Sequence, residues 1–176
     1  MADRLNVVGK AHEAKASAGF VWFVYGSSLD REAFAAWAAE HGYRLPDFSR
    51  ARRARLRGFR LSFDAPSRSW GGAVASLVES PGDEVEGLAV PMPGDARGLV
   101  DHKEGAISGL YVPFEVALEP LDGGAPLRAV AYRTAPARRL PAEEPPSTAY
   151  LDVLLRGART SGLSPEWVAR LESLRR

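Results

Sequence analysis

A glutamate that closes a helix-like segment, sits beside a glycine and precedes an apolar strand is well placed to handle protons. Glu104 has that setting, in the run Asp101-His102-Lys103-Glu104-Gly105. If burial disfavours its charge, its pKa rises and it becomes a base near neutral pH. The same pattern also suits a solvated charge beside a helix-ending glycine. A second candidate is Tyr25-Gly26-Ser27-Ser28-Leu29. A glycine turn between strand and helix exposes backbone N–H groups at the helix start, and such a corner can hold a carboxylate or a polarised carbonyl oxygen. An ordinary strand-to-helix turn would use the same residues. Tyr111, Tyr132 and Tyr150 could bring hydroxyls to a polar ligand, or pack their rings inside with the hydroxyl at the rim.

Other chemistries are excluded or find little support. The chain has no cysteine, which removes thiol nucleophiles, disulfides and thiolate metal sites. Its three histidines, His12, His41 and His102, show no metal-ligand spacing, and no metal is expected. Ser27 does not sit in a Gly-x-Ser-x-Gly elbow, so a serine hydrolase is a poor fit. Arg50, Arg52, Arg53, Arg55, Arg57 and Arg60 form a basic run with few aromatic residues to stack bases, which reads as a solvated strand face. The net charge is +1, so no polyanionic partner is demanded, and a nucleic-acid role is not expected. No apolar run approaches the ~20 residues that cross a bilayer, and residues 1–19 lack the apolar centre of a secretory signal. The expectation is a cytoplasmic protein without a membrane partner.

These residues need elements to position them. The 176-residue length, 45% hydrophobic and 26% charged, suits a single domain over residues 20–176 after a loose leader at residues 1–19. Residues 20–25 (FVWFVY) predict a buried strand stopped by Gly26. Leu29, Phe34, Trp37 and Ala38 then fall at helical spacing, with a serine or aspartate near the N-cap. Phe59, Leu61 and Phe63 alternate as a half-buried strand. Residues 73–79 and 85–90 predict two strands separated by a turn at Ser80-Pro81-Gly82-Asp83. Residues 95–104 predict a short helix, and residues 110–118 and 127–133 two more strands. Residues 135–146 are a proline-rich loop. Ser147 begins a helix that runs to Gly157, and Ser164-Pro165-Glu166 begins the last one. Strands interrupted by few helices argue for a β-rich α+β domain.

Taken in order, several of these segments resemble the γ-glutamylcyclotransferase (AIG2-like) family. They are Tyr25-Gly26-Ser27-x-Leu29, Gly58-Phe59-Arg60-Leu61-x-Phe63, Ser80-Pro81-Gly82-Asp83-Glu84-Val85-x-Gly87, and Asp101-x-x-Glu104-Gly105 followed by Tyr111. Ser147-x-x-Tyr150 and Gly157-Ala158-x-x-x-Gly162-Leu163 continue the match, which runs from about Phe20 to about Leu174. The resemblance implies a small mixed β-barrel flanked by helices. It implies a γ-glutamyl-binding loop at Trp22, Phe23, Val24, Tyr25, Gly26 and Ser27, with Gly26 and Ser27 at the contact. It also implies Glu104 as the catalytic glutamate, with Tyr111 and Tyr150 lining the same cavity. Ser28 and Glu86 depart from the family's usual asparagine and apolar or aromatic residue, and both departures bear on the acceptor.

The reaction so implied is intramolecular aminolysis of a γ-glutamyl amide, releasing 5-oxoproline and an amine, with no cofactor. The partner is a small γ-glutamyl substrate, and the protein is expected as a monomer or homodimer. Two other readings stay open: a non-catalytic binding module on the same fold, and a relative acting on γ-glutamyl amines, glutathione or a γ-glutamyl-protected biosynthetic intermediate.

Overall fold

The computed structural model describes residues 18–175, so the leader expected at residues 1–19 lies almost wholly outside the described residues. Five strands make up the sheet among those residues: β1 (Phe20–Val24), β2 (Arg52–Ser67), β3 (Gly72–Met92), β4 (Tyr111–Pro120) and β5 (Leu127–Thr134). They close into a barrel in the order β1-β3-β2-β4-β5. β1 meets β5 in parallel, at Trp22 opposite Val130, and the other pairings are antiparallel. The expected small mixed barrel is therefore what the chain forms. Closure gives every one of these strands a neighbour on both sides.

The long β2–β3 hairpin differs from its expected form. Ser80-Pro81-Gly82-Asp83 does not turn the chain between two strands. Arg57 pairs with Glu84 and Phe59 with Glu79, so β3 inserts three extra residues opposite Gly58 and then continues as the same strand. The local composition is that of a turn, and the Ser80 hydroxyl donates to Asp83 at 2.6 Å. The flanking residues 76–79 and 84–89, however, all find partners on one β2 strand, which converts the turn into a bulge.

Four helices pack on the barrel among the described residues. α1 (Arg31–Glu40) is capped by the Asp30 carboxylate, which accepts from the Glu32 and Ala33 N–H groups. α2 (Arg97–Lys103) is the short helix expected before Gly105. α3 (Thr148–Thr160) is capped by Ser147, with Pro145 and Pro146 just before it. It continues through Gly157 rather than ending there, because Gly157 is needed for contact: a Cβ at that position would lie 2.6 Å from both the Asp30 nitrogen and the Leu29 Cβ. α4 (Pro165–Glu172) is capped by Ser164. None of these helices is long and apolar enough to cross a membrane.

The buried departure Glu86 finds its explanation here. Its two carboxylate oxygens accept from the Ser164 N–H at 2.9 Å and the Ser164 hydroxyl at 2.8 Å. Glu86 thus fastens the start of α4 to β3. The basic run of β2 is matched by neighbouring acceptors: Arg52 pairs with Asp122, Arg55 with Glu84, Arg57 with Glu119 and Arg60 with Glu143, while Arg53 donates to the Gly162 carbonyl.

Candidate active site

β1 alternates its side chains between two faces, and that decides which of them reach the site. Trp22 packs against the Phe34 and Phe48 rings, with centroids 5.8 and 6.2 Å away, beneath α1. Phe23 and Tyr25 share the opposite face, 5.8 Å apart. Only Tyr25, at the strand's end, lines the cavity that opens beside the barrel mouth. The side chains of Trp22, Phe23 and Val24 are core residues, 0 to 1% exposed, and do not line it. That part of the expected loop is structural: a strand buried on both faces cannot present its middle residues to a ligand. Gly26, Ser27 and Ser28 do line the cavity. Ser27–Leu29 form one turn of 3-10 helix, and the N–H groups that begin such a turn have no acceptor within it.

The cavity has a volume of about 570 Å³. It brings together Tyr25, Gly26, Ser27, Glu104, Tyr111 and Tyr150, drawn from four separated stretches of chain. Glu104 follows α2 as its C-cap, with its N–H bonded to the Val100 carbonyl at 2.9 Å. Gly105 at φ +73° then turns the chain sharply, a conformation open to glycine without strain. This stop leaves the Glu104 side chain facing the 25–28 loop. The Ser28 hydroxyl lies 3.4 Å from Glu104 Oε1, at the long end of hydrogen bonding. Burial pushes the Glu104 carboxyl up to about 7, against the opposing pull of the Lys103 ammonium and the Ser28 hydroxyl.

Three buried tyrosines form the inner end. Tyr111 donates its hydroxyl to the Ala75 carbonyl at 2.6 Å. Tyr150 accepts from the Ala75 N–H at 3.1 Å. Its phenol oxygen lies 3.7 Å from the point a Cβ on Gly26 would occupy. Its own proton is therefore free for a ligand beside the loop. Tyr25 donates to the Tyr132 carbonyl at 2.6 Å. Burial raises the pKa of Tyr25, Tyr111 and Tyr150, so each keeps its proton at neutral pH.

Tyr132 is not at the cavity. It is fully buried, and its hydroxyl donates to Asp101 at 2.5 Å. Asp101 also pairs with Arg97 at 3.0 Å, one helical turn back. The Asp-x-x-Glu spacing thereby becomes intelligible: Asp101 ties α2 to β5, and Glu104, one turn on, is held toward β1. Of the histidines, His102 packs edge-on to Trp37 at 5.2 Å and His41 stacks on the same ring at 4.4 Å, while His12 lies outside the described residues.

Sequence reasoning named Ser28 only within the 25–29 corner and as a departure from the family's asparagine, and did not single out Lys103, Trp37 or Trp70 as cavity residues. A position next to Gly26-Ser27 or Glu104 was the available signal for Ser28 and Lys103. The tryptophans come from α1 and the β2–β3 hairpin, and only the closed barrel places them near Glu104.

The chain is similar in sequence and fold to known proteins. Residues 84–171 match the AIG2-like family. The chain is 33% identical to bovine γ-glutamylcyclotransferase, over 88% of this chain and 78% of that protein. It is 30% identical to the human γ-glutamylcyclotransferase with the same coverage. A solved γ-glutamyl cyclotransferase structure superposes with a TM-score of 0.74 at 30% identity, over 88% of this chain and 87% of that one. On this likeness across most of its length, the chain belongs to the AIG2-like, γ-glutamylcyclotransferase family.

Proposed function

We propose that the chain catalyses the cyclisation of a γ-glutamyl amide to 5-oxoproline, with Glu104 as general base and then general acid. The observation that carries this is one carboxyl, held at the 25–28 loop and poised by burial near pH 7. A base of that pKa is half ionised at neutral pH and can both take and return a proton.

The substrate supplies its own nucleophile. Its α-ammonium loses a proton to Glu104, and the freed amine attacks the γ-carbonyl carbon. A C–N bond forms within the molecule and closes a five-membered lactam. The former amide C–N bond breaks as the leaving nitrogen takes the proton from Glu104, and the lactam nitrogen gives its second proton to the carboxylate so regenerated, which passes it to the departing amine or to water. Holding the glutamyl chain in the folded attack conformer is the larger part of the work, since intramolecular reactions of good geometry reach very high effective concentrations. The free Tyr150 proton and the N–H groups of residues 26–28 suit the substrate's α-carboxylate and the developing oxyanion; loss of one oxyanion donor typically slows such reactions ~10²–10³-fold.

The test is release of 5-oxoproline from a γ-glutamyl dipeptide by the purified protein. Stoichiometric 5-oxoproline and free amino acid support the assignment. Binding of the dipeptide without any turnover would leave a binding module instead.

A further inference from the structure

The cavity holds a second ionisable side chain that the cyclisation does not use. Lys103 ends α2 and lines the cavity beside Glu104. Its Nζ lies 5.3 Å from the Trp37 ring centroid and 5.8 Å from that of Phe34. Among the described residues it takes part in no ion pair. Burial lowers its pKa, and the nearby Glu104 carboxylate opposes that without reaching contact. A desolvated ammonium lacking a counter-ion is costly, and an anion brought by a ligand relieves the cost.

The position of this cation says which part of a ligand it meets. The inner end of the cavity is the tyrosine cluster, where Tyr25, Tyr111 and Tyr150 are 5, 8 and 3% exposed. The outer end is formed by α1, whose Ala36 and Glu40 are exposed at the lining. The Lys103 ammonium sits against the α1 side chains Phe34 and Trp37. With the glutamyl group at the inner end, as the proposed function requires, the leaving group lies toward Lys103.

We propose that Lys103 is a specificity-determining residue that binds a carboxylate on the leaving group and so selects γ-glutamyl amino acids over γ-glutamyl amines. Covalent geometry fits the pairing. In a γ-glutamyl amino acid one carbon separates the leaving nitrogen from the carboxylate carbon, which places them about 2.5 Å apart. Glu104 and Lys103 both line the cavity, so a leaving nitrogen at the Glu104 carboxyl carries its carboxylate into the space that Lys103 also faces. An amine without that carboxylate leaves the ammonium unpaired.

The test compares γ-glutamyl-alanine with γ-glutamyl-ethylamide, which is the same molecule lacking the leaving-group carboxylate. Both retain the glutamyl α-carboxylate. kcat/KM is measured for the parent, Lys103→Met and Lys103→Arg, with thermal unfolding to confirm folding. The parent is expected to prefer the dipeptide ~10–100-fold, the range of one hydrogen bond to a charged group. Lys103→Met should bring the dipeptide-to-ethylamide ratio of kcat/KM down to near one, and Lys103→Arg should keep most of the preference. Removing the ammonium also alters Glu104 ionisation, but that acts on both substrates alike and cancels in the ratio. Equal losses on both substrates would place Lys103 at the glutamyl end and overturn the inference. A parent ratio near one would overturn it without any variant. Absence of 5-oxoproline from both substrates would instead sink the cyclisation itself, and the inference with it.

Discussion

Replacing Glu104 by glutamine removes one buried negative charge and keeps the side chain's shape. Burial holds this carboxyl at about 7, against an ordinary value of 4.5. The folded state therefore binds the proton more tightly than the unfolded chain does. Folding stability contributed by that proton is present below about pH 4.5 and is lost as pH rises to about 7. At about 1.4 kcal/mol per pH unit, the full loss is about 3 kcal/mol, an upper figure because the carboxyl opens onto a cavity. Glu104→Gln never ionises and escapes this loss. The variant should match the parent in stability at pH 4.5 and exceed it at pH 8, by up to roughly 10 °C in Tm for a chain of this size. Thermal unfolding of both proteins at half-unit intervals from pH 4.5 to 8.5 measures the difference. A stability difference that does not grow with pH would refute the reasoning, because it would mean that Glu104 ionises as an ordinary exposed carboxylate.

Three other substitutions test how the site is built. Tyr150→Phe removes the acceptor of the Ala75 N–H and the one tyrosine proton free for a ligand. It should raise KM ~10-fold or more and lower stability by about 1–3 kcal/mol, read by steady-state kinetics and denaturant unfolding. Gly157→Ala drives a methyl into Asp30 and Leu29, so it should cost about 1–3 kcal/mol and also reduce kcat/KM, because residues 26–28 adjoin that contact. Glu86→Ala strips two hydrogen bonds from Ser164 and should cost about 2–3 kcal/mol while leaving kcat/KM unchanged, since Glu86 is not at the cavity.

The local signals were legible. Ser147 and Ser164 cap their helices as their neighbours predict, and β1 ends where Gly26 stops the apolar run. Glu104 and residues 25–27 could be singled out because their chemistry is unusual for their local context. What pairing decides was not legible. Ser80-Pro81-Gly82-Asp83 has the composition of a turn, and only its pairing with β2 makes it a bulge. Trp22, Phe23 and Val24 sit next to the loop in sequence, yet strand alternation and the cover of α1 take them into the core. The Ser28–Glu104 contact joins residues 76 apart in the chain, and the Trp37–Lys103 approach spans a similar separation. Both exist only because barrel closure brings β1 and α1 against α2.

The most direct measurement is 5-oxoproline release by the parent and Glu104→Gln across pH 5.5 to 8.5, on a γ-glutamyl dipeptide. The account expects kcat/KM of the parent to rise with pH and level off above an inflection near 7, where the carboxyl ionises. It expects the folded glutamine variant to release no 5-oxoproline above background. Turnover by that variant near the parent rate, with the same inflection, would contradict it.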